Sequence, residues 1–404
     1  MAHSHAHAPV EPDAPRRTLA AVLAAIVLAV AVLTAVAMIV LWPDASKVPQ
    51  NANPYGAEGV STVEGTVTDV APFDCNSGGV GPDNSPTVDG DCATVKARTG
   101  DETATFTLDS ARYRAGIEVG DDIRLIRVQP QGQEVSWEFQ DFERGLPLTA
   151  IAIVFAILVV AVARWRGLFA IAGVGVTLFA LMVFVVPGLL SGEAALPVAV
   201  VGSTAIMLVV LYLAHGVSIR TTSALFGTLG GIAMTALLGA WATGWTHLSG
   251  LGSEDDLTLI AVAPHVDMQG VVAASMVIAG LGVLNDVTVT QASAVWEMRS
   301  LQPSAGRATV FASAMRIGRD HIASSVYTLI FAYAGSAMTI LLLITAYQRG
   351  LAEMATTEQI GQEIVRTLVG AIGLVLAVPL TTAIAVMLAP GQSDEVPAGA
   401  HASA

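Results

Sequence analysis

Eight stretches of about twenty apolar residues constrain this chain more than any other feature, because a hydrocarbon layer about 30 Å thick is crossed by roughly 20 apolar residues in a helix. They fall approximately at 18–41, 147–163, 168–190, 195–214, 222–244, 266–285, 322–345 and 367–388. With 53% hydrophobic and 13% charged residues, the composition lies outside that of soluble globular proteins. The partner implied throughout is a lipid bilayer. The acidic balance gives no sign of nucleic-acid binding.

Orientation follows from the basic residues. With the N-terminus in the cytoplasm, eight crossings return the C-terminus there. The inside segments then hold nine basic residues, among them Arg164, Arg166, Arg220, Arg299, Arg307, Arg316 and Arg319, against seven acids. The outside holds ten basic and twenty-six acidic residues. Segment 18–41 follows Arg16-Arg17 like a secretion signal, but its apolar run is longer than a cleaved signal needs and it ends in Leu-Trp-Pro. It reads as a retained anchor.

The domain expectations are a histidine-bearing cytoplasmic tail (1–17), the anchor (18–41), an extracytoplasmic β domain with its linker (42–146), a seven-helix membrane domain (147–390) and a second tail (391–404). His3, His5 and His7 alternate in the first tail, a pattern that can bind metal but that also suits an unstructured low-complexity segment. In the β domain, the runs "VEGTVTDV", "CATVKART", "ETATFTL", "DDIRLIRV" and "VSWEFQDF" alternate with period two between Gly, Asp and Asn. They read as five strands of a small antiparallel barrel, OB-like or SH3-like. Cys75 and Cys92, the only cysteines, flank a Gly/Asp/Pro-rich loop and are expected to form a disulfide in an oxidising compartment. Asp83, Asp89 and Asp91 in that loop lack the ligand spacing of a calcium site.

The stretch "AGLGVLNDVTVTQASAVWEMR" (279–299) carries the candidate site. Continued as a helix, it puts Asp286, Thr290, Ser293 and Glu297 on a strip about 60° wide. An ionisable group within a span marks a functional site by default. Three readings stand for Asp286: part of a solute or ion path, the wet face of an interfacial helix, or a cap where one helix breaks into the next. Asn285, Thr288 and Gln291 lie beside it, and Arg319, Asp320 and Tyr333 belong to a second polar cluster. Asp320 is expected to pair with Arg316 or Arg319, or to form with Asp286 a two-carboxylate cytoplasmic vestibule. At the outer mouth of the sixth span, His265 and Asp267 could form a proton relay, a weak metal site or merely a polar surface. His215 and His247 are isolated in sequence and carry little signal.

"GLGVLNDVTVTQASAVWEM" with "IGRDHIASSVYTLIFAYAGSAM" resembles the YibE/F-like membrane proteins. The resemblance rests on Asp286, Ser293, Ala294 and Glu297, on Ile317, Gly318, Arg319 and Asp320, and on Ala332, Tyr333, Gly335 and Ser336. It implies a multi-pass protein of the bacterial inner membrane with an outer domain after the first helix, and brings no settled activity with it. This chain has Tyr327 where the family pattern suggests Asn.

The functional expectation is a transporter or permease for a small solute or ion. The alternative is a non-transporting envelope receptor, scaffold or signal relay whose outer domain binds a partner. An HExxH motif, a GxSxG elbow and a GK[ST] phosphate loop are all missing, so the chain reads as a non-enzyme. No cofactor or dedicated metal is expected.

Overall fold

A computed structural model describes residues 14–49, 59–75, 79–80, 86–87, 89–129, 134–348 and 350–390. The histidines of the first tail, the tail from 391 and Asp83 lie outside these residues. The chain divides into two compact units, Gln50–Ala161 and Met1–Pro49 with Val162–Ala404. The first helix, α1 (Ala14–Val40), belongs to the second of these.

The smaller unit is a five-stranded antiparallel sheet. Its strands are β1 (Val60–Asp74), β4 (Asp91–Thr99), β5 (Glu102–Leu108), β6 (Asp122–Val128) and β7 (Ser136–Phe142), in the order β5-β4-β1-β6-β7. Two-residue strands β2 (Gly79–Val80) and β3 (Pro86–Thr87) pair within the Gly/Asp/Pro-rich loop. The period-two pattern buries Ala93, Val95 and Ala97 from β4, Ala104, Phe106 and Leu108 from β5, and Ile123 and Leu125 from β6 around Val67. A register shift between Val67 and Asp69 lets the long β1 bend so that one half pairs with β4 and the other with β6.

The five expected strands are present and the sheet curls, but it is not a closed barrel: hydrogen bonding ends at β5 and β7. These edge strands meet through side chains, with the Phe106 and Phe139 rings 6.2 Å apart. A one-turn helix, α2 (Ser110–Tyr113), unforeseen in the sequence, is capped by Asp109. Gly120 turns the chain into β6 at φ 101°, a left-handed conformation that favours glycine. Cys75 and Cys92 are disulfide-bonded across 17 positions. Closing a loop of that size contributes about 3 kcal/mol on the chain-entropy account.

The elements that follow the sheet are helical, and the first of them begins in the smaller unit, which extends to Ala161. A run of 46 residues, Gly145–Leu190, comprises α3 (Gly145–Ala180), a π-helical turn (Leu181–Val185) and α4 (Val186–Leu190). Then come α5 (Ala195–His215), α6 (Ile219–Trp245), α7 (Glu254–Val262), α8 (Met268–Leu301), α9 (Arg307–Ser336), α10 (Met338–Ala346), α11 (Leu351–Ala355) and α12 (Glu358–Leu388). Six described helices are long and apolar enough to cross a membrane, or seven if α9 and α10, bent by 62°, form one span. The difference from eight expected stretches arises because 147–163 and 168–190 share the 46-residue run, interrupted only at Arg164 (φ 54°, ψ −132°). Their outward residues are apolar, as in Leu146, Val162, Phe179 and Leu237. This is a multi-pass membrane protein.

Helices α6, α8 and α12 form the centre, with α5 and α9 packed against them. Lipid supplies little hydrophobic drive between helices, so close contact through small residues must hold them. A Cβ on Gly227 would lie 2.1 Å from Thr381 Oγ1, one on Gly231 would lie 2.7 Å from Leu284, and one on Gly373 would lie 2.2 Å from Thr235 Oγ1. Two buried hydroxyls of this core satisfy themselves along their own helix: Thr381 donates to the Ala377 carbonyl and Thr382 to that of Val378, both at 2.7 Å.

Gly373→Ala should therefore destabilise the full chain by about 1–3 kcal/mol, the usual cost of overpacking. Thr235→Ala should restore most of that loss, since the nearest remaining atom, Thr235 Cβ, lies 3.5 Å from the new methyl. Thr235→Ala alone should be nearly neutral, because Thr235 Oγ1 is buried without a hydrogen-bond partner among the described residues. Thermal melts of the detergent-solubilised protein measure all three. Failure of the double variant to recover would refute this packing assignment.

Candidate functional site: the seam between α8 and α9

Helix α8 runs unbroken for 34 residues, about 51 Å. Asn285 and Asp286 lie inside it, so Asp286 does not cap a new helix. The cap of α8 is Asp267, whose Oδ1 accepts the Gly270 N–H at 3.0 Å.

The two sides of α8 differ as its periodicity requires. Asp286 and Glu297 are exposed, while Thr290 and Ser293 on the same strip are half-buried. On the opposite side Thr288, Gln291 and Arg299 are buried with Leu284, Val287 and Val295. Thr288 and Thr228 of α6 share a hydrogen bond at 2.7 Å between their hydroxyls. Gln291 Nε2 donates to the Ala314 carbonyl of α9 at 2.9 Å. A Cβ on Gly318 would stand 2.8 Å from Val378 and 3.1 Å from Gln291 Oε1, so this glycine permits α9 to approach both neighbours. Arg299 donates through Nη1 to the Ala305 carbonyl and ties the end of α8 to the turn before α9.

Across this seam Asp286 faces His321 of α9, with Oδ2 3.6 Å from Nε2. The Asp286 side chain is 69% exposed and that of His321 is 32% exposed. The Oδ1 of neighbouring Asn285 is buried without a hydrogen-bond partner among the described residues. An acid and an imidazole are thus brought together across the seam, a pair able to hold or pass a proton.

The second cluster is arranged differently from the sequence expectation. Arg319 and Asp320 are exposed on the side of α9 away from Gly318. No ion pair within 4.0 Å joins Asp320 to Arg316 or Arg319 among the described residues, and Arg316 Nη2 donates to the Ser313 hydroxyl at 2.8 Å. Tyr333 is half-buried further along α9. The partner of Asp286 is His321. Its signal was periodic: His321 follows Gly318 by three residues and precedes Ser325 by four, on the side of α9 that buries Ala314, Gly318 and Ser325.

His265 and Asp267, weighed as a proton relay, a weak metal site or merely a polar surface, make separate contacts. His265 Nε2 lies 2.8 Å from the Leu190 carbonyl, and a Cβ on Gly192 would be 2.8 Å from the imidazole Cδ2. No group of three or more His, Cys, Asp or Glu able to hold a metal occurs among the described residues.

The model of the YibE/F-like protein family matches residues 151–391, which include α8, α9 and their seam. The chain belongs to the YibE/F-like family. No curated protein and no solved structure matches it. In this YibE/F-like chain the motif residues divide by role: Gly318 makes the helix contact, whereas Ile317, Arg319 and Asp320 around it are exposed.

Loss of the Asp267 cap by Asp267→Ala should cost about 1 kcal/mol of stability, and Asp267→Asn or Asp267→Ser should retain most of it. Equal losses in the Ala and Asn variants, read from melting curves, would mean that the carboxylate charge rather than capping matters here.

Proposed function

We propose that the protein moves a small solute or ion across the bacterial cytoplasmic membrane, with both termini and the α8–α9 turn in the cytoplasm and the β unit outside. The observation that carries this reading is the Asp286–His321 pair. Asp286 lies 18 residues beyond Met268 on α8, about 27 Å along the axis. That is close to one hydrocarbon thickness, so the pair stands where a path would open into the cytoplasmic interface. A carboxylate and an imidazole facing each other between two spans are the groups that relay protons or receive a cation. Thr290, Ser293 and Glu297 extend the polar strip from Asp286 toward the cytoplasm. Arg164, where the helical run departs from helical geometry, divides that run into two crossings, which with α9–α10 as one span gives eight.

A second reading, a non-transporting envelope protein whose outer unit binds a partner, draws support from the close packing of α6, α8 and α12. Glycines there approach threonine and leucine side chains with no room for a methyl.

Flux in proteoliposomes, across candidate ions and several pH values, separates the two readings. Asp286→Asn and His321→Gln should each lower flux at least about tenfold, equivalent to roughly 1.4 kcal/mol. Asp320→Asn should leave it within about twofold, since that carboxylate stands outside the seam. Flux that survives both seam variants would remove the assignment, and absence of flux for every ion in the wild type would favour the receptor reading.

A further inference from the structure

Helices α9 and α12 meet at two levels. At the inner one a Cβ on Gly318 would stand 2.8 Å from Val378, close to the Asp286–His321 pair. Tyr333 lies 15 residues beyond Gly318 on α9, and Glu363 lies 15 residues before Val378 on α12. Antiparallel helices in this register bring those two residues to one level, about 22 Å from the first. Glu363 and Arg366 are indeed the charged groups near enough to act on the Tyr333 hydroxyl.

Arg366 Nη1 donates to Glu363 Oε1 at 2.5 Å, and the two side chains are 18% and 28% exposed. Arg366 Nε is buried without a hydrogen-bond partner among the described residues, so one donor of the pair is unspent. On the neighbouring side of α12, Val365 and Val369 pack against Val272 and Met276 of α8, which bring no charge. A pair one turn apart on a single helix does not tie two helices together, and ionisable groups in a span mark a path by default.

Glu363, Gly370, Leu374 and Val378 lie on one strip of α12 about 80° wide. A Cβ on Gly370 would meet nothing within 4 Å, which leaves open space inward of Glu363. Further in, Leu374 joins Val283, Val287 and Ile322 in an apolar cluster beside Asp286 and His321. The strip thus leads from one polar pair to the other, open near Glu363 and closed at that cluster. Each end brings one carboxylate with one basic partner. A hard metal cation takes about six oxygen ligands, whereas a proton needs a single acceptor.

We propose that Glu363 is the outer proton acceptor of the path whose inner end is the Asp286–His321 pair, with Arg366 as its internal counter-charge, and that the species moved is the proton. This rests on the transport reading. Hydronium beside Gly370 gives its proton to the Glu363 carboxylate, which becomes a neutral acid as water is released, while Arg366 keeps its own proton and charge.

The test reconstitutes the purified full chain in vesicles containing the pH dye pyranine, with potassium and valinomycin clamping the potential while a proton gradient is imposed. The wild type should dissipate the gradient faster than empty vesicles. Glu363→Gln should slow this by roughly a hundredfold, the scale of a lost proton-transfer group, and Glu363→Asp should retain part of it. An unchanged rate in Glu363→Gln beside a slowed Asp286→Asn would overturn the outer assignment and leave the transport reading standing. Wild-type vesicles that carry another ion but no proton would overturn the proton assignment alone, and vesicles that carry nothing would overturn both readings. A second measurement needs no flux. Cys75 and Cys92 are disulfide-bonded, so Gly370→Cys and Leu368→Cys each introduce a single free thiol at nearly one depth, Leu368 being exposed on another side of α12. The impermeant trimethylammonium reagent MTSET should modify Gly370→Cys at least about tenfold faster than Leu368→Cys, because the reactive thiolate forms in water and not in hydrocarbon. Equal rates would overturn the water access that the proposal requires, whatever the flux.

Discussion

The close approach of α6 to α8 and α12 is the constraint on which the helical unit depends. In a bilayer, apolar side chains gain little by leaving lipid for a neighbouring helix, and association rests on surface fit and hydrogen bonds. Gly227, Gly231 and Gly373 supply the fit by receiving Thr381, Leu284 and Thr235 where a methyl has no place. The hydroxyls of Thr381 and Thr228 turn back on their own helices, Thr228 and Thr288 also meet each other, and that of Thr235 has no partner among the described residues. Held in this way, α8 can present Gln291 to α9 and Asp286 to its outer side. The seam is thus a consequence of the core beneath it.

Much of this could be read from residues alone, for definite physical reasons. Hydropathy located the spans because a bilayer imposes a minimum apolar length. Helical periodicity gave the strip from Asp286 to Glu297, and strand periodicity gave the inward residues of β4, β5 and β6. Number and closure were harder. Arg164-Trp-Arg166 looks like a loop between two spans, yet a single non-helical residue, Arg164, accommodates the change within one run. Closure of the sheet depends on whether β5 and β7 exchange backbone hydrogen bonds, and no local pattern specifies that pairing. Their edges instead meet through Phe106 and Phe139.

The candidate site shows the same division. Periodicity identifies which side of a helix is polar, but not the neighbour it faces. Asp320 attracted attention as an acid in a basic stretch, and it stands exposed. His321, one position further along, is turned by that single 100° step toward Asp286. Likewise, Asp267 beside His265 left a relay, a weak metal site and a polar surface open, and each residue is engaged locally, Asp267 by the first turn of α8 and His265 by the Leu190 carbonyl. A charged residue near a helix start has a backbone to satisfy before it has chemistry to perform.

These contacts also dictate where a path along Asp286 could open. Glycine contacts leave no slack between α6, α8 and α12, and Gly318 makes one such contact from α9. On the α9 side the direct polar ties to α8 are fewer: the Gln291 amide to the Ala314 carbonyl, Arg299 at the turn, and the Asp286–His321 pair itself. Helix α9 also breaks into α10 with a 62° bend, so its far end is not continuous with a rigid rod. In the transport reading proposed above, opening at Asp286 would displace α9 and with it the Gly318 contact to Val378 and Gln291. Asp286 belongs to the core helix α8 and His321 to α9, so the pair spans the boundary between the two.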